Sequence, residues 1–151
     1  MKWLVLIISL SFATLAQADL NETFDRDVLT LEASRDACYR FDIYLAESNA
    51  QRAQGLMYVR ELPVSTGMWF VYEREARVSI WMKNTYIPLD IVYVKADGRV
   101  SSVFHDAEPL SLRSMPSDEP VQYVLELNGG LAAKLGIDGD SRIYWEPATT
   151  D

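Results

Sequence analysis

Two acids stand where a strand pattern calls for apolar side chains. In the run Leu89 to Val94, Asp90 shares one strand face with Val92 and Val94, while Leu89, Ile91 and Tyr93 take the other. In Val124 to Leu127, Glu126 shares a face with Val124, opposite Leu125 and Leu127. An ionised carboxylate among such neighbours is costly unless it is paired or its pKa rises until it is neutral. Each acid therefore needs a partner. Lys83 is the nearest cation in sequence to Asp90, and Arg52 or Arg60 could serve Glu126. The densest mixture of polar and large apolar residues is Trp81-Met82-Lys83-Asn84-Thr85, followed by Pro88-Leu89-Asp90. Turn chemistry explains Asn84, Thr85 and Pro88, but not Lys83 and Asp90. The candidate ligand-binding set is Trp81, Lys83, Asn84, Thr85, Asp90 and Glu126. The competing reading is a buried polar network that fixes strand register.

Other chemistries have a thinner inventory. Asp90 and Glu126 would form a hydrolytic carboxylate pair if they approached within roughly 5–10 Å. His105 is the only histidine, so zinc held by two or three histidines is ruled out. A Ser-His-Asp set would rest on that one imidazole, with no nucleophile-elbow pattern beside it. Phosphate-loop and dinucleotide fingerprints are absent, and no cofactor is implied. Met57, Met68 and Met82 carry thioethers that suit Cu(I), although flexible thioethers also fill irregular cores. Trp69, Trp81 and Trp145 could stack on a sugar, although aromatics are common strand residues. Catalytic residues stay unassigned. The reading leans away from an enzyme and towards a module that binds a small ligand or a protein partner. Such a ligand is expected where the Trp81 to Asp90 segment meets the Gly55-Leu56-Met57 turn, because pockets combine apolar walls with a few convergent polar groups.

The chain that must position these residues has 151 residues, 49% hydrophobic and 24% charged, an ordinary globular composition. Acids outnumber Lys and Arg 22 to 14, for a net charge of -8. This argues against nucleic-acid and anionic-membrane partners, which need concentrated cations. Lys2, the apolar run Trp3 to Leu15 and the small-x-small Ala16-Gln17-Ala18 read as a secretory signal peptide over 1–18. The run is shorter than the roughly 20 residues of a spanning helix. A soluble periplasmic or secreted product, with no membrane attachment after cleavage, is expected. Cys38 is the single cysteine, so stability must come from the core without an intrachain disulfide.

Residues 19–37 are acidic and weakly patterned, with a possible strand at Val28 to Glu32, and read as a lead-in to one β domain over 38–151. Cys38 to Ala46 alternates cleanly as a half-buried strand. Ser48 and Gln51 form a capping-box pattern over a helix that Gly55 ends. Strands are expected at Gly67 to Tyr72, Arg77 to Met82, Leu89 to Lys95, Arg99 to His105, Gln122 to Leu127 and Ser141 to Trp145. Asp97-Gly98 makes a hairpin of the third and fourth. Residues 106–120 read as a long irregular loop, and Leu131 to Leu135 as a second short helix. Together these predict a mainly β protein, a compact antiparallel β-sandwich or partly open barrel with two short helices.

Gly55-Leu56-Met57, Arg60, Leu62, Gly67-Met68, Phe70, Trp81 to Thr85, Pro88 to Asp90, Val124-Leu125-Glu126 and Gly139-Asp140 occur in the order and spacing of the family called domain of unknown function 192. Over about Phe41 to Tyr144 the chain resembles a secreted, single-domain member. The resemblance implies a compact, mostly antiparallel β fold. It implies no reaction, and it transfers no catalytic residue.

Overall fold

Residues 19–34 and 36–147 are described by the computed structural model, so the expected signal peptide at 1–18 lies outside the described residues. In chain order the elements are α1 (Leu20–Thr23), β1 (Arg26–Glu32), β2 (Cys38–Ala46), α2 (Asn49–Gln54), β3 (Thr66–Ala76), β4 (Ser79–Ile80), β5 (Leu89–Val94), β6 (Val100–Ala107), β7 (Met115–Pro116), β8 (Val121–Asn128), α3 (Leu131–Leu135) and β9 (Arg142–Tyr144). The protein is mainly β. A strongly curled, seven-stranded half-barrel in the order β6-β5-β8-β3-β2-β1-β9 is accompanied by the two-stranded sheet β4-β7. Among the described residues no helix is long and apolar enough to cross a membrane.

The sheet is mixed. Five of its six strand pairs are antiparallel, as expected, but β2 and β3 run parallel, with Asp42 opposite Thr66 and Ala46 opposite Phe70. A parallel pair needs a crossover, which α2 and the stretch to Ser65 supply. The capping box of α2 forms as expected, with Ser48 accepting from the Gln51 N–H and the Gln51 side chain accepting from the Ser48 N–H. The two ends of the curl meet on one side: Val100 N–H donates to Ser141 O at 3.0 Å and Ile143 N–H donates to Gly98 O at 2.8 Å. Gly98 makes this closure possible. Its φ is +84°, and a Cβ there would lie 2.2 Å from Ile143 O.

Alternation along the strands divides the buried side chains between the two faces. Leu29, Leu31, Ile43, Leu45, Trp69, Val92, Val94, Leu125, Val100 and Ile143 include residues of both edge strands and fill the inside of the curl. The outer face, with Met68, Phe70, Leu89, Ile91, Tyr93 and Val124, is roofed by Leu56, Val59, Leu62, Ile80, Met82, Ile87 and Met115. At ~25 cal/mol per Å² of apolar area, this second layer is what lets the outer face stay dry.

Several local expectations change. The acidic 19–37 segment is no mere lead-in: β1 lies between β2 and β9 in the main sheet, and α1 adds Leu20 to the outer core. The strand expected over Arg77 to Met82 shrinks to β4, because its residues roof the sheet rather than extend it. The irregular 106–120 stretch contains β7, which pairs Met115 with Ile80.

Candidate functional site

Glu126 lies on the outer sheet face, opposite Met68 of β3 and Ile91 of β5. Only 4% of the residue is exposed, and its carboxyl makes no hydrogen bond or ion pair among the described residues. Burial alone pushes its pKa from 4.5 up to about 8, so the carboxyl is predominantly neutral at pH 7. Burial also raises the Tyr72 phenol, with the Arg52 charge opposing and Glu126 adding to the shift. The Tyr93 phenol is raised by burial first and then by Glu126; its hydroxyl donates to Met115 O at 2.5 Å.

Above Glu126 a narrow cleft of about 80 Å³ passes between two turns. One wall runs from α2 into Gly55, Leu56 and Met57; the other is Ser79, Ile80, Trp81, Lys83 and Thr85, with Phe70 and Tyr72 from β3. Gly55 has φ +50° and ψ -139°, a backbone state that side chains rarely adopt, and it packs beside Phe70. The turns are tied together. Tyr58 N–H donates to Asn84 O at 2.9 Å, and Asn84 Nδ2 donates to the Tyr58 hydroxyl at 3.0 Å. Both residues have positive φ, at 67° and 55°, which asparagine tolerates more readily than tyrosine. Met82 N–H donates to Ser111 O and Leu110 N–H to Thr85 O, anchoring the second turn to the covering loop.

Two cations border the cleft. Lys83 Nζ sits 5.1 Å from the centroid of the Trp81 ring, which is itself 49% exposed. Arg52 lies 5.0 Å from the Tyr72 ring centroid and donates to Val71 O, Glu47 O and Asn49 Oδ1. Both contacts have cation–π geometry.

Asp90 belongs to a different environment. It is completely buried, and it accepts from the backbone N–H groups of Asp106, Gly130 and Ala132 at 2.9, 3.1 and 2.7 Å. It therefore joins β6 to the start of α3, where helix N–H groups lack intrahelical partners. His105 Nδ1 is 4.0 Å away, too far for a hydrogen bond. The expected Lys83 partner is not there, because Lys83 lies over Trp81 on the other side of the sheet. Arg52 and Arg60 likewise do not pair with Glu126: Arg52 is held by backbone carbonyls, and Arg60 lies over the Tyr86 ring.

The structure thus brings Trp81, Lys83, Thr85 and Glu126 to one cleft. Asn84 braces its wall, and Asp90 is separated from it by the sheet. The carboxylate pair is overturned by the pleat: Asp90 is opposite Leu127 and Glu126 opposite Ile91, so their side chains leave from opposite faces. Met68 and Met82 are fully buried in the outer core, where packing explains them. Trp69 and Trp145 pack with Tyr123 at the other face, with Trp69 and Tyr123 stacked at 4.9 Å. The sequence nominates Arg52 for Glu126 only as an ion-pair partner, and it does not point to Tyr72. The period of two that links Met68, Phe70 and Tyr72 was the available signal for the tyrosine. A larger cleft, about 560 Å³, is lined by Asp19, Leu20, Asn21, Tyr44, Glu61, Leu62 and Pro63, and among these Tyr44 is the one buried titratable group.

No curated protein matches this chain. Among solved structures, a protein from Sinorhizobium meliloti 1021 described as a candidate transcription regulator is similar at TM-score 0.78 and 36% identity, over 80% of this chain and 94% of its own. A protein of unknown function from Novosphingobium aromaticivorans DSM 12444 is similar at TM-score 0.77 and 37% identity, over 80% of this chain and 85% of its own. Residues 30–145 match the family described as uncharacterized ACR, so the chain belongs to the DUF192 family, domain of unknown function 192.

Proposed function

We propose that the protein is an exported small-ligand-binding module whose site is the cleft over Glu126. The observation that carries this reading is a carboxyl, 4% exposed and without a partner among the described residues, on the floor of an open cleft. Leaving such a group unsatisfied is costly, and sites that do so usually have a functional use for it. The walls supply the remaining parts of a binding site: apolar Leu56, Phe70 and Ile80, an exposed indole, and two cations. Catalysis by paired carboxylates has no geometric support. A role in transcription, carried over from the S. meliloti relative, sits poorly with a net charge of -8. Export rests on the pattern of residues 1–18.

A thermal-shift screen of the exported protein against sugars, peptides, nucleotides, small organic acids and Cu(I) tests the reading. Hits should weaken in Lys83→Met and in Ala53→Phe, which adds a ring at the exposed rim. A hit indifferent to both changes would move the site elsewhere.

A further inference from the structure

We propose that the Glu126 cleft takes the carboxylate end of a small organic acid, with the Glu126 carboxyl donating a hydrogen bond to it and Lys83 and Arg52 supplying the opposing charge. This deepens the reading of the cleft as a ligand site and rests on it.

Three observations converge. First, size: about 80 Å³ is far below the roughly 300–1,000 Å³ of a site for a drug-sized ligand. It admits a short acid or the tip of a longer molecule, and excludes a whole sugar or nucleotide. Second, charge: among the residues that line the cleft, Glu126 is the single acid, and both other charged groups are cations. That is a local reversal in a chain whose acids outnumber its bases 22 to 14. Third, hydrogen bonding: a neutral carboxyl offers one O–H donor, and none of the described residues accepts it. A carboxylate accepts such a bond strongly, because charge-assisted hydrogen bonds are roughly twice as strong as neutral ones. The groups facing Glu126 from the packed elements are Tyr72 of β3, Tyr93 of β5, Arg52 of α2 and Lys83 of the Trp81–Thr85 turn. Burial raises both phenols above their ordinary value of 10, so neither ionises in the range that matters.

The rival occupant is an ammonium group, which would bind an ionised Glu126. The two make opposite predictions with pH. A carboxylate binds the neutral acid, so its affinity falls as Glu126 ionises above pH 8; an ammonium gains affinity over the same range.

The test is a titration with propionate, lactate, ethylammonium and N-acetyl-alanyl-alanine at pH 6.5 and 9.0, followed by calorimetry and by the amide resonances of Leu56, Met57 and Thr85. Propionate and lactate should bind about tenfold more weakly at pH 9.0, the loss of neutral Glu126 expected one unit above its pKa. Glu126→Gln should keep the binding and abolish the pH dependence, while Lys83→Met should weaken binding at both pH values and keep the slope. If the dipeptide binds and the free acids do not, the carboxylate is the end of a longer chain. Ethylammonium binding that strengthens with pH would overturn the carboxylate assignment while leaving the cleft as the site. Resonance shifts for all four probes confined to residues away from the cleft would overturn both.

Discussion

Replacing Glu126 by glutamine keeps the shape of the neutral acid and removes its ability to ionise. In the unfolded chain Glu126 ionises around its ordinary 4.5, whereas burial pushes it to about 8 in the folded protein. Between these values the folded state holds a proton that the unfolded state has released, so stability falls as pH rises. The penalty is absent well below pH 4.5 and complete above pH 8. At about 1.4 kcal/mol per pH unit it totals about 5 kcal/mol, of which about 4 kcal/mol falls between pH 5 and pH 9. That is a large share of the roughly 5–15 kcal/mol that stabilises an ordinary domain. Urea unfolding of wild type and Glu126→Gln at pH 5, 7 and 9 measures it. Groups common to both proteins cancel in the difference, and the variant should gain about 4 kcal/mol on the wild type across the range. Parallel pH profiles would mean that Glu126 ionises in the folded protein as readily as in the unfolded chain, and that burial does not raise its pKa.

Asp90→Ala should cost at least about 3 kcal/mol, since one buried and two part-buried N–H groups lose their acceptor. Asp90→Asn, which keeps one, should cost less by chemical denaturation. Lys83→Met should change stability by less than about 1 kcal/mol, since an exposed cation over an indole contributes little; a larger loss would restore the idea of a Lys83–Asp90 pair. Gly98→Ala should destabilise by more than about 1 kcal/mol and speed hydrogen exchange at the Ile143 N–H, because a Cβ meets Ile143 O at 2.2 Å. Mass spectrometry of the exported protein should find Asp19 at its N-terminus; a mature chain still carrying Trp3 would contradict signal cleavage.

The strand faces of Asp90 and Glu126 were legible because a period of two assigns faces without knowing which strands are neighbours. Which partners those faces meet was not, because partners come from elements remote in sequence: Gly130 and Ala132 for Asp90, and none for Glu126. The expected pairings, Lys83 with Asp90 by sequence proximity and Arg52 or Arg60 with Glu126, failed because strand pleating, backbone carbonyls and aromatic rings decide where long cations rest. The parallel β2–β3 pair was hidden for a related reason, since alternation marks a strand and says nothing of its neighbour's direction. β1 was underweighted because its charged residues, Arg26, Asp27 and Glu32, obscure the inward Leu29 and Leu31. The meeting of the Gly55–Met57 and Trp81–Thr85 turns was legible in outline, because both runs combine turn residues with large apolar ones. The depth of the cleft between them depends on packing that no local pattern records.

Among the described residues Glu126 is a neutral acid without a partner, on the floor of an open cleft. A ¹³C-carboxyl NMR titration of the ligand-free protein reads this protonation state, with Glu126→Gln identifying the resonance. The midpoint should lie close to pH 8, displaced from the ordinary 4.5. A midpoint below pH 6 would mean that a cation or hydrogen-bond donors already satisfy the carboxylate, and that Glu126 is not a neutral acid at pH 7.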